Sequence, residues 1–338
     1  MSRSAEPGSR LALNTLFYKK KTSEMLRARL SGGEQQIFES KAYQVVVSMM
    51  ITAVFEDALE EAAVHVKMLK HVLSDHSSRR GKEVDLRTLY TIVWYDFIRT
   101  CKGLTRPLFD FLGWVPDQFS SEWQEAMRCL PSLSSQAESN LDKSSIDEDL
   151  HELFIGIREI LEFLDLVTFD PSITNMPTQV AIAQWMTIWL GQLLNRYLDT
   201  MSALDAGSEL HADPVAWFMY SWSSYTRAYT CLAGLWWTRC FGKMENPPTG
   251  PALTVLNSNI IPALKTALIQ SEQLSDGLDS LINSRVRLWA LYVGALAEQR
   301  AWRVFKTRRP GVRSEYSWFT DELLSHARTI DLLTWSDV

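Results

Sequence analysis

From Phe55 onward, apolar residues fall at Leu59, Ala62, Val66, Leu69 and Leu73, in steps of 4, 3, 4, 3 and 4. Such steps return to one side of a helix, so the segment predicts an amphipathic helix with a single buried stripe. Upstream, 43–55 is apolar nearly all round and predicts deeper burial in the same long helical stretch. Ser31-Gly32-Gly33-Glu34 fits its opening, because Glu34 stands three residues after Ser31, as a capping box requires. Residues 75–84 form a polar connection around Gly81. The next helix is predicted over 86–104, and the Arg106-Pro107 step should end it, since the residue before proline is pushed out of helical geometry.

Gly113-Trp114-Val115-Pro116 reads as a turn, with a short helix over 122–130 behind it. Residues 131–145, rich in serine, are expected to be the longest loop. Ser145 and Glu148 make a second capping box, opening a helix to about Val167. Asp170-Pro171 and Met176-Pro177 lead into a helix predicted over 179–204. His211-Ala212-Asp213-Pro214 then opens a stretch rich in tryptophan, 216–241, read as one buried helix or a buried helix pair. Asn246-Pro247-Pro248-Thr249-Gly250-Pro251 is a break. A further helix is predicted over 278–305, with Ile282, Val286, Trp289, Val293 and Leu296 on one face. A basic turn follows at 306–313, and a last helix over 318–330. No window alternates as a strand between hairpin turns, and no period repeats. The expected fold class is all-α: a large helical domain over 34–338 of mostly antiparallel helices, behind a mobile tail over 1–33.

Composition agrees with a folded chain. Hydrophobic residues make up 46% of the 338, and 34 basic against 40 acidic residues leave a net charge of −6. That excludes a wholly disordered protein and gives no overall attraction to a phosphate backbone. The start of the chain is polar and lacks the apolar core of a signal peptide. The nearest approach to a membrane span, 216–241, is interrupted by Arg227 and Arg239, so no membrane association is expected. Cys101, Cys129, Cys231 and Cys240 form no paired motif, which fits a reducing compartment and offers no structural zinc.

Candidate chemistry is sparse. Glu56-Asp57 with Glu60-Glu61, and Asp147-Glu148-Asp149, could hold magnesium in an all-α cyclase, but no D-D-x-x-D string occurs. The first group sits beside the apolar stripe, where charges ordinarily face water. The second occupies a helix start, where acids favour the dipole. His65, His71 and His76 are six and five residues apart, not the four of a zinc helix, and His151, His211 and His326 have no partners at ligand spacing. Nucleophile elbows, phosphate-binding loops and dinucleotide fingerprints are absent. Gly32-Gly33 ahead of a helix could in principle hold an anion, but with no preceding strand or lysine partner a cap is the better explanation. Lys19-Lys20-Lys21 and the 306–313 run reverse the acidic balance locally, as solvated faces or a nuclear import address. Trp185, Trp189, Trp217, Trp222, Trp236 and Trp237 predict either core packing or a pocket for a flat, apolar ligand. No catalytic, cofactor-binding or metal-ligating residue is assigned.

Several segments then fall into a familiar order. His65-Val66-Lys67-Met68-Leu69-Lys70, the run from Asp85 to Tyr90, Trp94-Tyr95-Asp96 and Arg106-Pro107-Leu108-Phe109 resemble the middle homology region of fungal binuclear zinc cluster transcription factors. Leu288-Trp289-Ala290-Leu291-Tyr292-Val293-Gly294-Ala295 resembles that family's L-W-x-L-F-x-G-x-A helix. Trp318-Phe319 with Leu323, and the closing Leu332-Leu333-Thr334-Trp335, resemble its last helix and terminal tryptophan. The likeness spans about 35–338. The family's DNA reader, a cluster of six cysteines beginning C-x-x-C, has no counterpart in this sequence; a chain starting downstream of such a cluster is one explanation.

The resemblance implies a helical regulatory domain without a DNA-binding module and transfers no site residue. The expectation is a transcriptional regulator acting through protein contacts, not an enzyme, in the nucleus and in the service of a fungal biosynthetic gene cluster. Its expected partners are a transcription factor or coactivator, with a small-molecule effector as a further candidate and no direct contact to specific DNA. The alternative is an all-α enzyme or small-molecule binder built on the Trp-rich helices.

Overall fold

The computed structural model describes residues 42–78, 85–121, 176–207, 213–240, 259–274, 281–308 and 318–329, together with Lys20, Lys21, Glu24, Ala28, Gln124, Glu152, Leu153 and 155–158. Of these, 90% are helical and none lies in a strand, so the chain is all-α. Among the described residues, no helix is long and apolar enough to cross a membrane. The expected loop at 131–145 and the capping boxes at Ser31 and Ser145 lie outside the described residues. Of 1–33, Lys20, Lys21, Glu24 and Ala28 are described, and all four are helical and exposed.

Helices α1 (Ala42–Phe55), α2 (Leu59–Ser78) and α3 (Leu86–Gly103) come first. By packing, the chain groups into two compact units, Met1–Arg99 and Thr100–Val338, and the division falls inside α3. In the first unit, α2 buries the predicted face: Ala62, Val66 and Leu69 are fully covered. Its partner α1 covers Val46, Val47, Met50, Ala53 and Val54, whereas Phe55 is 45% exposed. The apolar run over 43–55 is therefore buried on one side and partly open on the other.

One expectation fails here. The helical stretch is not continuous from 43 to 73, because the chain turns at Glu56-Asp57-Ala58. The Ala58 N–H donates to the Ala53 carbonyl (2.9 Å) and the Asp57 N–H to the Val54 carbonyl (3.4 Å), while Asp57 takes a left-handed backbone with φ of 60°. These are the two bonds of a Schellman stop, with aspartate where glycine is usual. Glu60 and Glu61 then occupy the first turn of α2, where the helix dipole favours negative charge.

The third helix starts on a side-chain cap. Asp85 accepts the Thr88 backbone N–H (2.9 Å) and hydroxyl (2.7 Å). These bonds, the hydroxyl's foremost, hold the Asp85 carboxyl below its ordinary range. At the other end, Leu104 has φ of 47° and the Thr105 N–H reaches back to the Thr100 carbonyl (3.3 Å). The stop thus lies just ahead of the Arg106-Pro107 step that predicts it. Phe97, Ile98 and Cys101 are buried along α3, and so is an ion pair: Arg99 donates from Nε (3.0 Å) and Nη2 (2.8 Å) to one oxygen of Asp96.

The second unit holds α4 (Trp114–Gln118), α5 (Met176–Gly207), α6 (Pro214–Cys240), α7 (Ile260–Gln273), α8 (Leu281–Arg308) and α9 (Trp318–Thr329). Residues 113–116, expected as a turn, open α4 instead. Pro116 is its third residue, where a missing N–H costs no helical bond. The Trp-rich stretch is a single helix, α6, and α5, α7 and α8 pack on it. The sequence reading assigns no element between Pro251 and Leu278, yet α7 lies there. It buries Ile260, Leu264, Ala267, Leu268 and Ser271, and Pro262 sits harmlessly in its first turn. The first three residues of the expected basic turn, Lys306, Thr307 and Arg308, continue α8 instead, and the rest of it lies outside the described residues.

The last helix docks on α8 through two residues one turn apart. The Phe319 ring lies directly on Gly294, where any Cβ would collide with it. The Glu298 carboxylate accepts the Phe319 N–H (3.2 Å) and the Thr320 N–H (3.4 Å), satisfying donors that the start of α9 leaves open.

Two stability measurements check these local accounts. Asp57→Val forces a β-branched residue into left-handed backbone and is expected to cost about 1–2 kcal/mol in urea unfolding, while Asp57→Gly should be neutral or stabilising. Gly294→Ala, which inside a helix ordinarily gains up to about 1 kcal/mol, should instead cost about 1–3 kcal/mol through the Phe319 ring. In a Phe319→Ala background the same substitution should regain its favourable sign.

Candidate functional site

The Trp-rich segment becomes a helix through its first two residues. Asp213 accepts the Val215 N–H on its side chain (2.9 Å) and the Trp217 N–H on its carbonyl (3.0 Å), while Pro214 supplies a backbone already set for the first turn. From Ala228 to Trp236 every residue is buried. Most of the tryptophans pack rather than form a pocket. Trp185 and Trp189 meet edge to face at 5.9 Å, and Trp189 lies on Gly156. Trp217 stacks on Tyr220 at 5.8 Å, and Trp237 meets Tyr292 at 5.9 Å.

Trp236 differs. Its side chain is fully buried, and among the described residues its Nε1 hydrogen has no acceptor. It lines a half-open cavity of about 40 Å³ together with Leu296, Gln299, Arg300 and Arg303 of α8. Those four are spaced 3, 1 and 3 apart, which sets them on one helical face. They also prolong the predicted stripe: Ile282, Val286, Trp289, Val293 and Leu296 are followed, in alternating steps of 4 and 3, by Arg300 and Arg303. The face is apolar through its first turns and cationic in its last. Gln299 and Arg303 are exposed and Arg300 half-buried. Two guanidinium side chains and one amide supply donors beside the apolar Trp236 and Leu296, and among the described residues no carboxylate, thiol or imidazole lines the cavity. Such a lining can hold an anion but has no group to transform one.

The other candidates take structural roles. Glu56, Asp57 and Glu60 are exposed. His65 lies 3.7 Å from Glu61, one turn away on the same helix. His326 sits in the last turn of α9 and donates from Nε2 to the Ser284 carbonyl at 2.9 Å. Among the described residues, no group of three or more histidines, cysteines and acids could hold a metal ion. Asp147-Glu148-Asp149, His151, His211, Gly32-Gly33 and Cys129 lie outside the described residues. Burial pushes the Cys231 thiol up to about 12, so it stays protonated and unreactive at neutral pH. Buried Tyr197 is likewise raised, chiefly by burial and then by Asp205 and Cys231.

No family model, curated protein or solved structure matches this chain.

Cysteine reactivity tests the burial. With Cys129 and Cys240 replaced by serine, Cys101 and Cys231 should react with an aromatic disulfide reagent only at the rate of unfolding. Because the folded Cys231 thiol titrates higher than the unfolded one, stability should hold below about pH 9 and fall as pH rises toward 12. Rapid labelling under native conditions would contradict both statements.

Proposed function

We propose that the chain is a helical regulatory domain that acts in transcription through protein contacts, without reading DNA itself and without catalysing a reaction. The observation that carries the reading is the likeness of its segments to the regulatory region of fungal zinc cluster transcription factors. Two of those segments, distant in sequence, touch: Gly294 of the Leu288-to-Ala295 run lies under Phe319 of the Trp318-Phe319 pair. A third, Trp94-Tyr95-Asp96, supplies the buried partner of Arg99. The acidic balance of the chain and the absence of a complete catalytic motif in its sequence support the same reading. In this proposal the partner is a transcription factor or coactivator, the compartment is the nucleus, and the target is a fungal biosynthetic gene cluster.

The alternative, an enzyme or small-molecule binder whose pocket is built by the Trp-rich helices, loses support where Trp185, Trp189, Trp217 and Trp237 contact neighbouring rings.

Location and partners are tested in a fungal cell. A fluorescent fusion of the full chain should concentrate in the nucleus. Lys19→Ala with Lys20→Ala and Lys21→Ala should lower that accumulation, since Lys20 and Lys21 are exposed. Arg308→Ala with Arg309→Ala should leave it nearly unchanged. Cross-linked pull-down should recover a transcription factor or coactivator. A wild-type fusion held in the cytoplasm, or a pull-down without either class of partner, would sink the proposal.

A further inference from the structure

We propose that the cavity between α6 and α8 binds the oxyanion group of a small molecule, a carboxylate or a phosphate, held by Arg300, Arg303, Gln299 and the Trp236 indole N–H. This stands apart from the transcriptional reading, because it rests on the cavity alone and is tested on the purified chain.

Three observations converge on it. The first is the Trp236 Nε1 hydrogen, fully buried and without an acceptor among the described residues. Folded proteins rarely leave a buried donor unpaired, and an oxyanion in the cavity that Trp236 lines would supply the missing acceptor. The second is the register of α8. Arg300 and Arg303 stand at the stripe positions where Val286, Trp289, Val293 and Leu296 stand earlier, so the face that packs against neighbours ends in two cations three residues apart. Guanidinium groups at that spacing lie on one helical face and can both donate to a single oxyanion. The third is the size and composition of the space. A volume of about 40 Å³ corresponds to roughly three waters, or to one carboxylate or phosphate group whose remaining atoms project through the open side. Among the described residues no acidic side chain lines it. Glu298, the nearest acid in the sequence, is engaged with the start of α9.

The ligand is accordingly defined by its oxyanion, with guanidinium forks suited to paired oxygens and the indole N–H adding a single directed donor. Leu296 closes the apolar side of the cavity.

The experiment uses the full chain with inorganic phosphate and succinate as probes, each titrated against sodium chloride at matched ionic strength. Calorimetry reads affinity, and the spectrum of nitrogen-15 tryptophan reads the indole N–H groups. At least one probe should bind beyond the chloride control and shift the one indole signal that is missing in Trp236→Phe. Phosphate alone, succinate alone or both would define the site as phosphate-selective, carboxylate-selective or general. Arg300→Gln and Arg303→Gln should each weaken binding by about tenfold, and Trp236→Phe by roughly fivefold or more. Circular dichroism of each variant should match the parent, which separates lost binding from lost folding. If neither probe binds beyond chloride, the proposal is wrong. It is equally wrong if binding stays within about twofold in the Arg300→Gln, Arg303→Gln double variant, or if the Trp236 indole signal stays still on saturation.

Discussion

The second unit is organised by the burial of α6. Nine consecutive buried residues, from Ala228 to Trp236, cover more than two full turns, so this helix has no solvent side over that length and must be enclosed by others. Helices α5, α7 and α8 provide that enclosure. A helix in such a position has to satisfy its polar side chains internally. Thr226, Thr230 and Thr238 do so by donating their hydroxyls to the carbonyls of Trp222, Thr226 and Gly234, at 3.0, 2.7 and 2.7 Å. Small residues serve the same end: Gly234 admits the Ile157 side chain against the α6 backbone, and Gly191 of α5 admits the Phe111 ring. Once α6 is enclosed, Arg287 ties two of its neighbours together, donating to the Leu268 carbonyl (3.0 Å) and to Glu272 (2.9 Å) of α7.

Elements whose pattern is carried by one stripe were legible in the sequence. The 4-and-3 steps of α2 mark Ala62, Val66 and Leu69, which are buried, the helix predicted from 86 starts there, and the Asp213-Pro214 pair marks the start of α6. What escaped detection has local physical causes. The break after Phe55 depends on Asp57 adopting left-handed backbone, a conformation that a helical reading of Glu and Asp does not suggest. Helix α7 shows apolar residues at Ile260, Leu264, Ala267 and Leu268, but the prolines before it and Pro262 within it read as breakers. At a first turn, proline breaks nothing. The extension of α8 through Arg308 has a similar origin, since a run of cations is read as a turn when a polar face of a helix serves as well.

The cavity was half legible. Extending the α8 stripe two steps beyond Leu296 lands on Arg300 and Arg303, and the change from apolar to cationic along one face is visible without coordinates. The contribution of Trp236 is not visible that way. Six tryptophans crowd 185–237, and nothing in their spacing tells which one keeps an unpartnered N–H. That depends on where α6 turns relative to α8, a property of tertiary packing. Of the two readings of the tryptophans, core packing describes Trp185, Trp189, Trp217 and Trp237, whose rings meet neighbouring rings.

The residues behind the family resemblance are, with few exceptions, packing residues. Trp94 contacts Phe97 within α3, and Asp96 neutralises a buried arginine. Phe109 stacks on Trp114 at 5.3 Å, Leu288 and Val293 are buried, and Gly294 exists to seat Phe319. A buried ion pair such as Asp96–Arg99 cannot lose one partner without leaving the other charge unpaired, and a ring seated on a glycine excludes every other residue there. These constraints bind the sequence whatever the protein does, so likeness at those positions speaks first to how the chain folds. Function is free to vary elsewhere. Gln299, Arg300 and Arg303 lie beyond Gly294 and Glu298 on α8, and Gln299 and Arg303 are exposed. A helical scaffold can in this way keep its core fixed while exposed positions at a helix end change.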